Sequence, residues 1–146
     1  MTTDDGYILT VYRIPGMVGE AVPNKSKPTV MFQHGILDAA ISWVTHHPEV
    51  APAFVAARAG YDVWLGNSRG NTFSRKHVEY DPDDNRHGGA DKFWDFDFEQ
   101  MGQYDLPAVL DHMTAQTGIE KHAYIGHSQG TSQMYYALAE YQEKMA

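Results

Sequence analysis

The sequence predicts an α/β protein: a mainly parallel β-sheet with helices on both faces. Three observations carry the prediction. Strand-like and helical runs alternate in the order strand, strand, helix, strand, helix, strand, helix. The run TVMFQ (29–33) is short with a continuous apolar centre, Val30-Met31-Phe32, as in a strand buried on both sides. Gly126-His127-Ser128-Gln129-Gly130 lies between a short apolar run and an amphipathic one, where a strand would turn sharply into a helix.

Taken in order, residues 7–14 (YILTVYRI) alternate polar and apolar positions, are rich in β-formers and read as the first strand, ended by Pro15-Gly16. Residues 19–28 form a polar connection with two prolines, and 29–33 form the second strand, broken by His34-Gly35. Residues 50–59 (VAPAFVAARA) are alanine-rich and helical, with Gly60 where a terminating glycine belongs. Residues 62–65 (DVWL) are a third strand, closed by Gly66-Asn67. Residues 80–92 are polar, contain Asp81-Pro82 and Gly88-Gly89, and read as a surface loop.

Residues 98–117 carry Leu106, Val109, Leu110 and Met113 at helical spacing, stopped by Gly118. Either Asp105 caps a helix with Pro107 in its first turn, or one longer helix kinks at Pro107. Residues 122–125 form a fourth strand leading into Gly126. Residues 130–144 are a helix with Met134, Leu138 and Tyr141 on one face.

At 146 residues the chain makes one domain at most, large enough to bury a core. Its net charge of −8 and lack of any Lys/Arg run argue against nucleic acid as a partner. Eight histidines would bring the net charge toward zero around pH 5, which suits an acidic compartment without demonstrating one. With no cysteine, disulfides and thiolate metal sites are excluded. No apolar stretch reaches the 18 or more residues of a transmembrane span. Met1-Thr2-Thr3-Asp4-Asp5 does not read as a secretory signal, leaving a cytosolic protein or one whose N-terminus lies upstream. Asn24-Lys25-Ser26 fits a glycosylation sequon, a match that arises by chance more often than not. No internal repeat or low-complexity tract is present.

The chemistry centres on Ser128. By composition, a G-x-S-x-G pattern arises by chance in about one chain of this length in twenty, so its context matters. Here a strand precedes it, a helix follows it, and the His34-Gly35 turn ends an earlier strand on the side where parallel sheets gather their active sites. The flanking glycines suit a turn so tight that a Cβ would clash. A serine hydroxyl needs a base to become nucleophilic, and attack on an ester needs N–H donors for the oxyanion. The amide of Gln129 is one candidate donor. The amide of Ile36, in His34-Gly35-Ile36-Leu37, is the other, and the following helix adds the positive end of its dipole.

Blander readings compete. Ser128 could be a plain helix N-cap, which the upstream His-Gly turn argues against. His34 reads as a buried structural histidine whose backbone neighbours do the work. His127 sits on the wrong side of the turn to be the base. His46-His47 reads as a solvated pair, and Asp81, Asp83 and Asp84 as a solvated loop without the EF-hand glycine and glutamate. No cofactor and no metal are called for.

Nearly the whole chain resembles, in order, the N-terminal half of the acid lipase family: gastric and lysosomal lipases and their steryl-ester hydrolase relatives. The resemblance rests on TDDGYIL (3–9) with Arg13-Ile14-Pro15, QHGIL (33–37) with Ser42-Trp43-Val44, and GYDVWLGNSRGN (60–71) with SRKH (74–77). It continues through Phe93-Trp94, YDLPA (104–108) and GHSQGT (126–131). It implies an α/β-hydrolase fold, here the N-terminal part only, and hydrolysis of neutral lipid esters, triacylglycerols or steryl esters, at a lipid–water interface. It assigns Ser128 as nucleophile and the Gln129 and Ile36 amides as oxyanion donors. Ile36 stands where leucine is usual, a harmless change if only the amide is used. Residues 78–92 look longer than in animal members. Arg69 and Asp105 look structural, with an ion pair beneath the site as one hypothesis. Members are mostly secreted or lysosomal, with some lipid-droplet proteins; the compartment of this chain is not legible.

The family's triad runs Ser, Asp, His along the chain. The 18 residues after Ser128 contain neither Asp nor His. The expectation is therefore a partial hydrolase domain, without cap domain or last strands, that is inactive or nearly so on its own. The strand ending at Ile125 would be an open, hydrophobic edge. A truncated, non-catalytic binding module and a general esterase remain as alternatives.

Overall fold

A five-residue strand buried at every position belongs in the middle of a sheet, and Thr29–Gln33 lies there. The computed structural model describes residues 1–20 and 27–145. Within them one sheet contains β1 (Tyr12–Ile14), β2 (Thr29–Gln33), β3 (Asp62–Leu65) and β4 (Ala123–Gly126), in the order β1-β3-β2-β4. β2 runs parallel to both neighbours, and β1 closes one edge antiparallel to β3. The helices are α1 (Pro52–Arg58), α2 (Gly89–Phe93), α3 (Phe98–Gln100), α4 (Leu106–Thr117), α5 (Gln129–Glu140) and α6 (Gln142–Met145).

The two-residue period of a strand splits the core in two. Met31 and Trp64 point to one face and pack with Leu106, Val109 and Met113 of α4 and Ala137 of α5. Val30, Phe32, Val63 and Leu65 point to the other and pack with Ala53 and Ala57 of α1. Helices thus cover both faces, as the alternation of elements predicted. β4 lies at the far edge, with Ile125 43% exposed. A groove of about 570 Å³ beside it is lined by residues of α4, β4 and α5. Among the described residues no helix is long and apolar enough to cross a membrane.

Several elements differ from expectation. Only Tyr12–Ile14 of residues 7–14 pairs as a strand. Upstream, Gly6 at φ +97° turns the chain back, Tyr7 makes a lone bridge with His77 and Ile8 one with Thr2. Tyr7 and Leu9 are buried in the same core cluster as Met31, Trp64 and Phe93, so their alternation does not signal pairing. The 50–59 helix starts at Pro52, in the first-turn position where a missing N–H costs little; Gly60 follows at φ +94°. Residues 80–92 are not all loop: a 3₁₀ turn, Arg86–Gly88, leads into α2, whose Phe93 is fully buried.

Helical backbone runs straight through Asp105, whose side chain caps nothing. A π turn, Met101–Asp105, joins α3 to α4 just before Pro107. The last helix is two: α5 ends at Glu140, and Tyr141 (φ −127°, ψ 41°) breaks it from α6. Its buried residues are Gly130, Gln133 and Ala137, while Leu138 is 43% exposed, so the inward face is rotated from the apolar one expected. The sequon Asn24-Lys25-Ser26 lies outside the described residues.

Candidate active site

Gln33 at the end of β2 pairs in register with Gly126 at the end of β4. Parallel strands leave the sheet on the same side, so His34-Gly35-Ile36 and His127-Ser128 emerge next to each other. The contact is direct. A Cβ on Gly35 would lie 3.0 Å from Ser128 Cβ and 3.2 Å from His127 Nδ1. The His127 amide donates to the Gln33 carbonyl at 3.0 Å, tying the two turns together.

Ser128 has φ 51° and ψ −119°, a left-handed conformation that glycine favours and serine rarely adopts. Both flanking glycines are forced by close approach. A Cβ on Gly126 would meet Thr131 N at 2.8 Å, and one on Gly130 would meet the Gln33 and His34 carbonyl oxygens at 2.7 and 2.8 Å. These are backbone atoms that cannot swing away. The strand-turn-helix predicted from the pentapeptide is therefore present, with Ser128 exposed at its tip. Ser128 makes no side-chain cap bond to α5, which removes the N-cap reading. Gln129 is the first residue of α5, where backbone N–H groups have no acceptor within the helix.

The loop after β2 is held in an unusual shape. Leu37 has φ 59° and is fully exposed; Ile36 is 64% exposed. A cleft of about 830 Å³ opens beside it, walled by Ile36, Leu37, Phe73, Trp94 and Met101, with Gln129 at one side. Its lining is mainly apolar, the surface an acyl chain or other hydrocarbon would wet least.

Beneath the loop lies a polar network. His34 is buried; its Nδ1 is 2.7 Å from the Gly35 carbonyl oxygen, and its Nε2 accepts from the Ser68 amide at 3.0 Å and from Asn71 Nδ2 at 3.1 Å. A carbonyl only accepts, so the hydrogen sits on Nδ1. Burial holds this imidazole below its ordinary range, against smaller upward pulls from the Gly35 carbonyl and Asp38, and keeps it neutral. Asn67 Oδ1 accepts from the Ala40 amide and from Asn71, while Asn67 Nδ2 donates to the Thr10 carbonyl. Ser68 Oγ accepts from both Gln33 Nε2 and Gln133 Nε2, at 2.7 and 3.1 Å. Gln133 is buried and faces inward, where its Nε2 bonds Ser68 Oγ and also Met101 Sδ at 3.1 Å.

Arg69 and Asp105 form the expected ion pair, with a partner the sequence did not reveal. Arg69 donates from its backbone N–H to Asp105 Oδ2 (2.9 Å) and from Nε to Asp105 Oδ1 (2.8 Å). Its two terminal nitrogens bind Asp5 at 2.5 and 2.9 Å, and the guanidinium stacks 4.0 Å from the Tyr7 ring centroid. Burial pushes the Asp105 carboxyl up to about 6, against the pull of Arg69. Burial also opposes the Arg69 charge, but Asp5 and Asp105 together outweigh it and raise its pKa.

Among the described residues, the side chains of the remaining candidates take no part in this hydrogen-bond network. His46 and His47 are exposed. Asp83 pairs with Arg75, and Asp84 with Arg86. His127 is exposed beside Ser128. Sequence reasoning missed Asp5, Asn67, Ser68, Asn71 and Gln133. One signal was available: Gln33 is a polar residue ending a strand buried on both faces, which requires polar partners behind the site.

Comparison with known proteins agrees with this geometry. Residues 28–146 match the alpha/beta hydrolase fold family, and residues 1–47 match a partial alpha/beta-hydrolase lipase region. The chain is 49% identical to mouse (Mus musculus) gastric triacylglycerol lipase over 90% of its own length and 32% of the relative's. It is 46% identical to the human (Homo sapiens) gastric enzyme over 90% and 32%, and 44% identical to human lipase member K over 95% and 33%. It thus spans about a third of the length of the curated relatives it matches. Among solved structures, an epoxide hydrolase from Vigna radiata superposes with a TM-score of 0.59 at 16% identity, over 98% of this chain and 35% of that one. Epoxide hydrolase A from Mycobacterium thermoresistibile gives 0.55 at 23%, over 99% and 36%. The parallel sheet, the strained serine turn between β4 and α5 and the match over residues 28–146 agree, and this chain belongs to the alpha/beta hydrolase fold family.

Proposed function

We propose that these residues carry the nucleophile and oxyanion donors of a lipase-type carboxylic-ester hydrolase acting on neutral lipid esters. The observation that supports this most is Ser128, exposed on a strained turn at φ 51° between two glycines pressed against neighbouring backbone. A position that strained, kept clear of capping bonds, suits a hydroxyl that must reach a substrate. The apolar cleft beside it and the 44–49% identity to lipases favour a hydrocarbon-rich ester.

In this reading Ser128 Oγ attacks the ester carbonyl while a base takes its proton. The oxyanion is held by the Gln129 and Ile36 amides, the alcohol leaves with a proton, and water then releases the acid from the acyl-enzyme. The base is assigned to no residue of this chain. His34 has both ring nitrogens engaged, and residues 129–146 contain no Asp or His. The 146 residues alone are accordingly proposed to act as a partial domain, slower than a complete triad by on the order of 10⁶. The test is hydrolysis of a p-nitrophenyl ester by the 146-residue chain and by the longest chain its gene encodes. Ser128-dependent turnover by the 146-residue chain at ordinary lipase rates contradicts the proposal. So does activity of the longest product that survives Ser128→Ala.

A further inference from the structure

The Gly35 carbonyl and the Ile36 N–H are the two ends of a single peptide group. Because that group is planar, fixing one end fixes the direction of the other. The carbonyl end is held by His34 Nδ1 at 2.7 Å, and the ring is held in turn by the Ser68 amide on Nε2 at 3.0 Å. Ser68 is anchored from both sides. Its hydroxyl takes bonds from Gln33 and Gln133, and the backbone N–H of the next residue, Arg69, binds Asp105. Asn71 reaches the same His34 nitrogen and also Asn67 Oδ1, which receives the Ala40 amide at the far end of the loop.

We infer that His34 is a positioning residue for the oxyanion site: its Nδ1–H sets the plane of the 35–36 peptide, and so the aim of the Ile36 N–H beside Ser128. This rests on the reading of Ser128 as nucleophile. The loop needs such a device because Gly35 has no Cβ to restrict its backbone, and Ile36 and Leu37 after it are exposed, so core packing of their side chains does not set the plane. A hydrogen bond on the carbonyl also polarises the shared peptide and makes its N–H a better donor. The buried chain from Asp105 through Arg69, Ser68 and His34 to this peptide connects the ion pair to the site in consecutive contacts.

Three substitutions separate positioning from mere support. In His34→Asn the side-chain nitrogen is two bonds from Cβ, as Nδ1 is, and can still donate to the Gly35 carbonyl. His34→Gln carries its polar atoms where Nε2 lies, and His34→Ala has neither. In the longest chain the gene encodes, Asn is expected to keep kcat within about threefold. Gln and Ala lose about 10²–10³ in kcat, the loss of one oxyanion donor, with KM unchanged. All three lose comparable stability to urea. Equal kcat losses in all three, or retention by Gln and not Asn, overturn the inference.

A second readout needs no activity. Nitrogen-15 spectra of the histidine rings in the 146-residue chain should show His34 protonated at Nδ1. The Ile36 amide resonance should shift in the Gln and Ala variants and stay near its original position in Asn. An Nε2–H ring, or an Ile36 amide indifferent to all three, refutes positioning. If Ser128→Ala leaves turnover intact, the nucleophile reading fails on its own, and the ring and amide spectra still decide the role of His34.

Discussion

Replacing Arg69 by methionine would leave Asp105 without its cation in a site where the Asp105 side chain is 5% exposed and that of Arg69 only 1%. The substitution removes the Nε bond to Asp105 and both bonds to Asp5, leaving the backbone N–H of residue 69 as the surviving donor. Stranding one member of a buried ion pair costs about 3–5 kcal/mol. That is a large share of the roughly 5–15 kcal/mol that holds a domain together. Asp105→Asn should cost less, about 2–3 kcal/mol, because Arg69 keeps Asp5 while a neutral amide replaces the charged acceptor of its backbone N–H and its Nε. The double variant should recover part of the single losses, since neither charge is then left alone.

The pH dependence has a definite sign. The folded Asp105 carboxyl already lies at about 6, above its unfolded value, and rises further without Arg69. A carboxyl raised in the folded state contributes stability that is full below its unfolded pKa and is lost as pH rises through the folded one. Arg69→Met should therefore be less damaging at pH 5 than at pH 8. Urea unfolding of wild type and the three variants at both pH values measures this. A pH-independent loss, or a double variant as weak as the sum of the singles, would refute the account of a buried, coupled pair.

Other consequences can be measured alongside. Ser128→Gly should raise the free energy of urea unfolding by about 1 kcal/mol through relief of the φ 51° strain, whereas Ser128→Ala should not, because alanine keeps the strained Cβ; equal stabilities would mean the turn stores no strain. His122, bonded to Thr29 at one ring nitrogen and Thr114 at the other, is held below its ordinary pKa by burial, so the stability it lends is present above about pH 6.5 and is lost as pH falls below that. His122→Gln should flatten the decline of stability in that interval, Asp105 contributing equally to both proteins; an unchanged slope contradicts the assignment.

Legibility varied for physical reasons. Residues 29–33 and 62–65 were readable to the residue, because burial on both faces leaves a continuous apolar run that polar turns bound sharply. Residues 7–14 were not, since Tyr7 and Leu9 alternate for packing under Phe93 and not for sheet pairing. The face of α5 was misread because a buried glutamine outranked an exposed leucine, its Nε2 held by the Ser68 hydroxyl and Met101 Sδ. At the site, Ser128, Gln129 and the His34-Gly35-Ile36 turn were visible because tight turns demand glycine at fixed spacing. Asn67, Ser68 and Asn71 carry no period, and the turn signal at Gly66-Asn67 names no partner; their meaning comes from what the sheet places opposite them. Asp5 was invisible for the same reason, 64 residues from the arginine it binds.

The central claim is that Ser128 is the reacting group, and covalent labelling tests it most directly. The longest chain the gene encodes, treated with a fluorophosphonate and digested, should carry the adduct on the peptide containing Gly126-His127-Ser128-Gln129-Gly130. Ser128→Ala and heat-denatured protein should carry none. An adduct on another residue, or equal labelling of Ser128→Ala, would contradict the account.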